Sequence, residues 1–410
     1  MKILLANDTY YPHVNGSSYF TQRLAFYLQK NGHEVAVIAP SRRIRCEVFY
    51  HEGVRVYGIQ SYPILIQSNF RFSPALIFKR RIKKALKEFK PDLVHIQGHF
   101  AISRTVLSAA IKLKIPVMGT NHFMPENLVH FLHLPRKPEE MLKKLAWTDF
   151  RRIFNKLSII TTPTHAAKNL LIQNGFTKPV VPISCGIDLE RFSHKNSSDN
   201  LRKKYNIPNK PSLLYVGRLD KEKNVDAIIR ALVLASKKMD LQLLVGGTGA
   251  EKEKLKKLAD DLGLKSRVIF LGFVPDKDLP ALYKAADCFI IAGIAELQSI
   301  VTLEALASGL PAIAVDAVAL PELVHHGKNG YLFDLKDTKK LAGYMIKILS
   351  DKKLHKQMSN ESLNIIKKHD IKNTLKQFEN LYEKLIKESH KKGERFIWTT
   401  QLQLSQIHPF

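Results

Sequence analysis

Cysteine is scarce: Cys46, Cys185 and Cys288 are the only three in 410 residues. None has a CxxC partner, so a disulfide framework is excluded and a reducing compartment is expected. No apolar run approaches the roughly 18–20 residues that a membrane span needs. The opening MKILLAND reads as a buried strand without a charged n-region or cleavage site, so no signal peptide is expected. Acidic residues are few, 37 Asp and Glu against 64 Lys and Arg, a net charge of +27. Residues 1–185 hold 27 basic and 10 acidic side chains, so +17 of that total lies there. A field of this sign favours anionic partners (nucleic acid, an acidic lipid surface, a phosphorylated substrate) and says nothing about fold. What remains is ordinary. An apolar share of 45% with 25% charged residues excludes collagen-like and disordered chains, and the length suggests two or three domains.

Short apolar strands alternate with amphipathic helices. In the first half, strands are expected at Lys2–Ala6, Glu34–Ala39, Leu93–Ile96, Val117–Thr120 and Ile159–Thr162, with helices around Ser18–Asn31, Ile77–Phe89 and Ser103–Leu113. In the second half, strands at Ser212–Gly217, Gln242–Val245, Val268–Leu271, Cys288–Ala292 and Ala312–Val315 each lead into helical sequence. This rhythm predicts right-handed βαβ units and two doubly wound α/β domains with mainly parallel sheets. The polar seam Phe192–Pro211 separates them, giving an amino-terminal domain over 1–190 and a carboxyl-terminal one over 191–370. A Lys- and Glu-rich helix over 371–392 and a tail over 393–410 follow. Such sheets bind ligands at the carboxyl ends of their strands, so a cleft between the two is the expected site.

The strongest local signal is AELQSIVTLEALASGLP, residues 295–311. Glu296 and Glu304 stand eight apart, which on one helix would leave them some 80° out of line. If Glu296 instead precedes a helix beginning near Ser299, it points outward while Glu304 lies one to two turns inside. The N–H groups of Gln298, Ser299, Ile300 and Val301 would then suit phosphate or sugar oxygens. Taken alone, the two acids are more simply read as a helix-entry residue, Glu296, and a surface residue, Glu304. YVGRLDKEKNVDAIIRAL, residues 215–232, puts Gly217 and Arg218 just past a strand and Lys223 ahead of a helix. Arg as a fork and Lys as a point charge can flank a pyrophosphate, although a solvated loop explains them too. Gly247 lies in the Gly-rich turn of LVGGTGAEKEKL, and LGFVPDKDLPALY adds a strand end where a base could meet the backbone of Phe273 and Val274.

In this order, GRLDKEKN, GGTG, GFVPDKDL, E-x7-E and GLPAIAVDAVALPELVHHGKNGYLF resemble glycosyltransferase family 4, retaining enzymes of the GT-B fold. The match runs along about residues 1–380. The resemblance implies two Rossmann-like domains facing a cleft, acceptor side first and donor side second. It further implies that Arg218 and Lys223 hold the donor diphosphate, Glu304 the ribose hydroxyls and Glu296 the transferred sugar. In the first half, NDTYYPHVNGSS resembles the family's glycine loop, with Gly16 admitting the diphosphate closely, and His122 of GTNHF matches its histidine beside the sugar. Many relatives carry Gly-Phe after the first glutamate. Leu297-Gln298 here is closer to the enzymes that glycosylate diacylglycerol, and is similar to phosphatidylinositol mannosyltransferases.

Other readings compete. Asp276-Lys277-Asp278 has the D-x-D form of metal-dependent transferases, but it directly precedes a helix, where an N-cap is the better account. No GxGxxG follows the first strand, so NAD binding is not expected. The sixteen histidines show no HExxH or Cys/His spacing, so no metal and no cofactor are expected. No nucleic-acid-binding module accompanies the positive charge.

IFKRRIKKALKEFK, residues 77–90, is an amphipathic helix. Phe78, Ile82, Ala85, Leu86 and Phe89 form one stripe, opposite Lys79, Arg80, Lys83, Lys84, Lys87 and Lys90. That face is either solvated or rests on anionic lipid, where each cation contributes about 1 kcal/mol. Ile64, Leu65, Phe70 and Phe72 just upstream form a candidate interfacial insertion. The expectation is a cytoplasmic enzyme, peripheral on the inner face of the cell membrane, that moves a hexose from a nucleotide-sugar, UDP being the better guess, to a lipid hydroxyl such as that of diacylglycerol. Polysaccharide, lipopolysaccharide or soluble glycan acceptors are the alternative.

Overall fold

The computed structural model describes residues 1–13, 15–63, 71–126, 135–193 and 199–391. Ile64, Leu65, Phe70 and the tail after 392 lie outside the described residues. The chain divides into two compact units. One contains residues 1–125, 135–184 and 374–391, and the other Cys185–Asn373. The division falls at Ser184/Cys185, ahead of the polar seam, because Ile187 and Phe192 are buried in the second unit's core and Ile187 bridges Asp370.

The first unit is built on β1 (Lys2–Ala6), β2 (Glu34–Pro40), β3 (Glu47–His51), β4 (Val54–Ile59), β7 (Leu93–Ile96), β8 (Val117–Thr120), β9 (Ile159–Thr162) and β10 (Val180–Pro182). The sheet order is β10-β9-β8-β7-β1-β2-β4-β3. All neighbours are parallel except β3 and β4. The central strands are apolar on both faces because helices cover both sides. At the edge, EVFYH alternates instead, with Phe49 buried and Val48 and Tyr50 exposed. This hairpin escapes the strand–helix rhythm of the sequence. Its two-residue turn, Glu52-Gly53, has positive φ at both positions (48° and 80°), as a tight hairpin requires. Beside the sheet, β5 (Tyr62–Pro63) and β6 (Arg71–Phe72) pair as a small antiparallel ribbon.

The helix Lys79–Phe89 buries Ile82, Ala85, Leu86 and Phe89, while Lys79, Arg80, Lys83, Lys84 and Lys87 are exposed. The last helix, Ile371–Lys391, joins this unit from Thr374 onward. There Phe378 packs on Phe20 and His95, and the Tyr382 hydroxyl lies 2.8 Å from His95 Nδ1.

The second unit has β11 (Ser212–Val216), β12 (Gln242–Gly246), β13 (Val268–Gly272), β14 (Cys288–Ile291), β15 (Ala312–Val315) and β16 (Gly330–Phe333), in the order β13-β12-β11-β14-β15-β16. Every pairing is parallel. The order reverses between β11 and β14, the kind of point at which open α/β sheets bind ligands beyond the carboxyl ends of their strands. In the first unit the same reversal lies between β1 and β7.

Candidate active site

The loop after β11 carries Gly217, Arg218 and Lys223, and the loop after β14 carries Glu296, so both flank the reversal point of the second sheet. The two loops are tied together. Lys223 Nζ lies 2.7 Å from Glu296 Oε1, with both side chains mostly buried (14% and 17% exposed). Asn224 takes the left-handed conformation (φ 48°, ψ 41°), which Asn tolerates, and its amide donates to Ala292 O at 3.0 Å. Gly293 leaves room for the ion pair, since a Cβ there would sit 3.1 Å from Glu296 Oε1 and 3.4 Å from Lys223 Cδ.

Arg218 is held by two acids, Asp220 and Glu222, the latter at 3.1 Å and almost wholly buried. The buried Tyr215 hydroxyl donates to Arg218 O at 2.7 Å, and burial beside Glu296 pushes that phenol well above its ordinary range. These supports were not visible in sequence, where Asp220, Glu222 and Tyr215 read as loop and strand residues.

The three glycine-bearing strand ends are zipped by backbone bonds: Gly217 N to Gly246 O, Leu219 N to Thr248 O and Gly247 N to Gly272 O, all within 2.8–2.9 Å. Gly247 has φ +143°, and a Cβ on it would lie 1.8 Å from Gly217 O, so no larger residue fits. On the next loop Phe273 is exposed and Val274 buried.

Glu296 precedes the helix Ile300–Ala307 and Glu304 lies inside it. Ser299 is the N-cap, its Oγ accepting from Thr302 N, which leaves the first-turn N–H groups of Ile300 and Val301 without intrahelical acceptors by position. Glu304 is not a surface residue: it is 7% exposed, and the buried Tyr283 hydroxyl donates to its Oε2 at 2.8 Å. The side-chain oxygen of Gln298 accepts from Cys185 N at 2.7 Å, which commits it to the protein itself.

In the first unit, Gly16 opens the helix Gly16–Lys30, and a Cβ there would meet nothing within 4 Å. Asn15 is that helix's N-cap, accepting from Ser18 N at 2.9 Å. His122 follows β8, and its Nε2 lies 3.0 Å from Gln97 Oε1 at the end of β7. Burial holds its pKa down at about 3, so the ring is neutral at physiological pH. Gln97, whose side chain fixes that ring, and Phe20, 4.7 Å from it, carried no signal in the sequence.

Asp278 occupies the N-cap position of the helix Leu279–Lys284, as expected, but neither it nor Asp276 makes a side-chain capping bond, which corrects the expected role of the carboxylates. Asp276 pairs with Arg191 and Asp278 with Lys204, both at 2.5 Å. The chain turns through Asp276–Asp278 as a 3₁₀ segment, and the ion pairs take the carboxylates away from the helix end. Among the described residues no group of three His, Cys, Asp or Glu is placed to hold a metal ion, and no helix is long and apolar enough to cross a membrane.

Family models agree with this architecture. "Glycosyltransferase Family 4" matches residues 14–191 and "Glycosyl transferases group 1" matches residues 197–364. An alpha-monoglucosyldiacylglycerol synthase of Streptococcus pneumoniae is 30% identical over 344 residues, covering 81% of this chain and 75% of that protein. A GDP-mannose-dependent alpha-mannosyltransferase of Mycobacterium tuberculosis is 28% identical over 335 residues, covering 81% and 83%. Among solved structures, Anabaena HepE in complex with UDP superposes with a TM-score of 0.73 at 20% identity, over 94% of this chain and all of that one. The chain therefore belongs to glycosyltransferase family 4 and has the GT-B fold.

Proposed function

We propose that this enzyme is a retaining transferase that moves a hexose from a UDP-sugar to the hydroxyl of a lipid such as diacylglycerol at an anionic membrane surface. The observation that carries the donor half is the mostly buried cation–carboxylate pair Lys223–Glu296 at the sheet's reversal point, with Arg218 on the same loop as Lys223 and the helix start at Ile300 following Glu296. In this reading Arg218, Lys223 and the helix N–H groups neutralise the diphosphate as it departs, the main electrostatic lever on such a bond. Glu296 binds the transferred sugar, Glu304 the ribose, and the backbone of Phe273 and Val274 the base. Gly217 and Gly247 let the chain approach the phosphates closely, while Gly16 and His122 serve the diphosphate and the sugar from the first unit. The bond between the anomeric carbon and the diphosphate oxygen breaks as the acceptor oxygen attacks the same face. The acceptor's proton passes to the leaving phosphate oxygen.

The acceptor half is supported by relatives that make glucosyldiacylglycerol and by the face Lys79, Arg80, Lys83, Lys84 and Lys87. Exposed Phe72, Leu76 and Ile77 adjoin that face in sequence, which suits an interface that is both charged and apolar. The similarity to GDP-mannose-dependent mannosyltransferases favours a second reading, a GDP-mannose donor. Incubation with UDP- and GDP-sugars, together with mixed vesicles or soluble glycans, tests both. A mass-identified hexosyl-diacylglycerol formed from a UDP-sugar is the expected product, and transfer to soluble glycan without vesicles would replace the lipid reading.

A further inference from the structure

Gln97 belongs to no motif, yet among the described residues it is the side chain to which the His122 ring is hydrogen-bonded, Nε2 to Gln97 Oε1 at 3.0 Å. Both residues lie in the first unit, just past the carboxyl ends of β7 and β8. Gln97 is pinned by its backbone, whose N–H donates to Ala6 O of β1 at 2.8 Å. Its side chain is almost wholly buried, and its Nε2 has no hydrogen-bond partner. A buried amide left half satisfied costs stability, so packing alone does not account for a glutamine there. The imidazole is constrained as well. Buried Phe20 lies against it, ring centroids 4.7 Å apart, and Phe123 N closes a tight turn around it by donating to Asn121 Oδ1 at 2.8 Å. Burial keeps the ring neutral, and a neutral imidazole has one N–H and one bare nitrogen. An amide oxygen only accepts, so the proton facing Gln97 sits on Nε2 and Nδ1 is the bare nitrogen. Such a nitrogen takes a hydrogen bond from a sugar hydroxyl and cannot give one.

We propose that Gln97 is a positioning residue that keeps the His122 proton on Nε2, so that Nδ1 accepts a hydrogen bond from one hydroxyl of the transferred sugar. This rests on the reading of His122 as the histidine beside that sugar. Magnetic resonance of the ring nitrogens in the histidine-labelled full chain at neutral pH reads the tautomer directly, with His122→Ala identifying the signals. The wild type should show Nε2 protonated and Nδ1 bare. In Gln97→Met, which keeps length and packing, both signals should move toward the exchange average of the two tautomers. A protonated Nδ1 in the wild type overturns the inference without recourse to any variant, and wild-type signals in Gln97→Met overturn it too. Calorimetric titration of UDP-glucose and GDP-mannose, each beside its monodeoxyfluoro analogues, adds the binding side. Fluorine keeps the size of a hydroxyl but donates no hydrogen bond, so one analogue should bind the wild type about three- to tenfold more weakly than its parent. That penalty should vanish in His122→Ala and shrink in Gln97→Met. A full penalty in Gln97→Met, lost only in His122→Ala, overturns the role of Gln97 and leaves the donor-site reading standing. A penalty that survives His122→Ala sinks the sugar role of His122 and this inference with it.

Discussion

Replacing Lys223 by alanine isolates the charge on which the donor reading depends. At roughly 4 Å and an effective dielectric of about 20, an ammonium and a phosphate oxygen interact by about 4 kcal/mol. Lys223 retains some solvent contact, 14% of its side chain, so about 2–4 kcal/mol is the expected loss in the transition state. At 1.36 kcal/mol per decade this lowers kcat/KM about 30- to 1,000-fold. The same change leaves Glu296 without its partner at 2.7 Å, a like charge facing the departing diphosphate, which pushes the loss toward the upper figure. Stability should fall by about 1–3 kcal/mol, because the mostly buried Glu296 carboxylate loses its partner, and urea unfolding must show that the fold survives. Steady-state rates on a UDP-sugar with diacylglycerol vesicles give the first quantity and urea unfolding the second. Lys223→Met, similar in length and uncharged, should match the alanine variant. Near-normal kcat/KM in either variant, with the fold intact, would refute the diphosphate role.

Three further outcomes are expected. Gly247→Ala places a Cβ where only 1.8 Å separates it from Gly217 O, so the zipped strand ends must part; nucleotide binding should fall at least tenfold by calorimetry, and unchanged affinity would show that the loop tolerates displacement. Reversing Lys79, Arg80, Lys83 and Lys84 to Glu removes four cations worth about 1 kcal/mol each near an anionic surface and should abolish sedimentation with phosphatidylserine vesicles, whereas persistent binding would assign the membrane contact elsewhere. Burial lowers the pKa values of His95, His99 and His122 to about 3, against about 6.5 in an unfolded chain, so below pH 6.5 the unfolded state binds more protons and stability falls as pH drops toward 3. For His95 alone this amounts to at most about 2 kcal/mol at pH 5, so the urea midpoint should be lower at pH 5 than at pH 7, and an unchanged midpoint would contradict it.

The alternation of strands and helices made the two parallel sheets legible, because covered parallel strands are continuous apolar runs with helices between them. The hairpin of Glu47–His51 and Val54–Ile59 was not, since an edge strand alternates and its Glu52-Gly53 turn lacks the usual Asn-Gly signal. Motif residues such as Lys223 and Glu296 were visible through fixed local patterns. Their supports are not local. Tyr283 meets Glu304 across 21 positions, Gln97 meets His122 across 25, and Gln298 meets Cys185 across 113. Only the folded backbone brings such partners together, and nothing in a tyrosine or glutamine codon marks its distant acceptor. Asp276 and Asp278 show the converse: the local pattern placed Asp278 at a helix N-cap correctly, but the distant cations Arg191 and Lys204 took both carboxylates.

Phosphorus nuclear magnetic resonance of a UDP-sugar incubated with the enzyme and diacylglycerol-containing anionic vesicles follows the breaking bond itself. The account predicts that the donor's two phosphorus signals give way to those of free UDP, in step with a hexosyl-diacylglycerol product. A donor left intact by vesicles under every condition, or one cleaved between its phosphates to a nucleoside monophosphate, would contradict it.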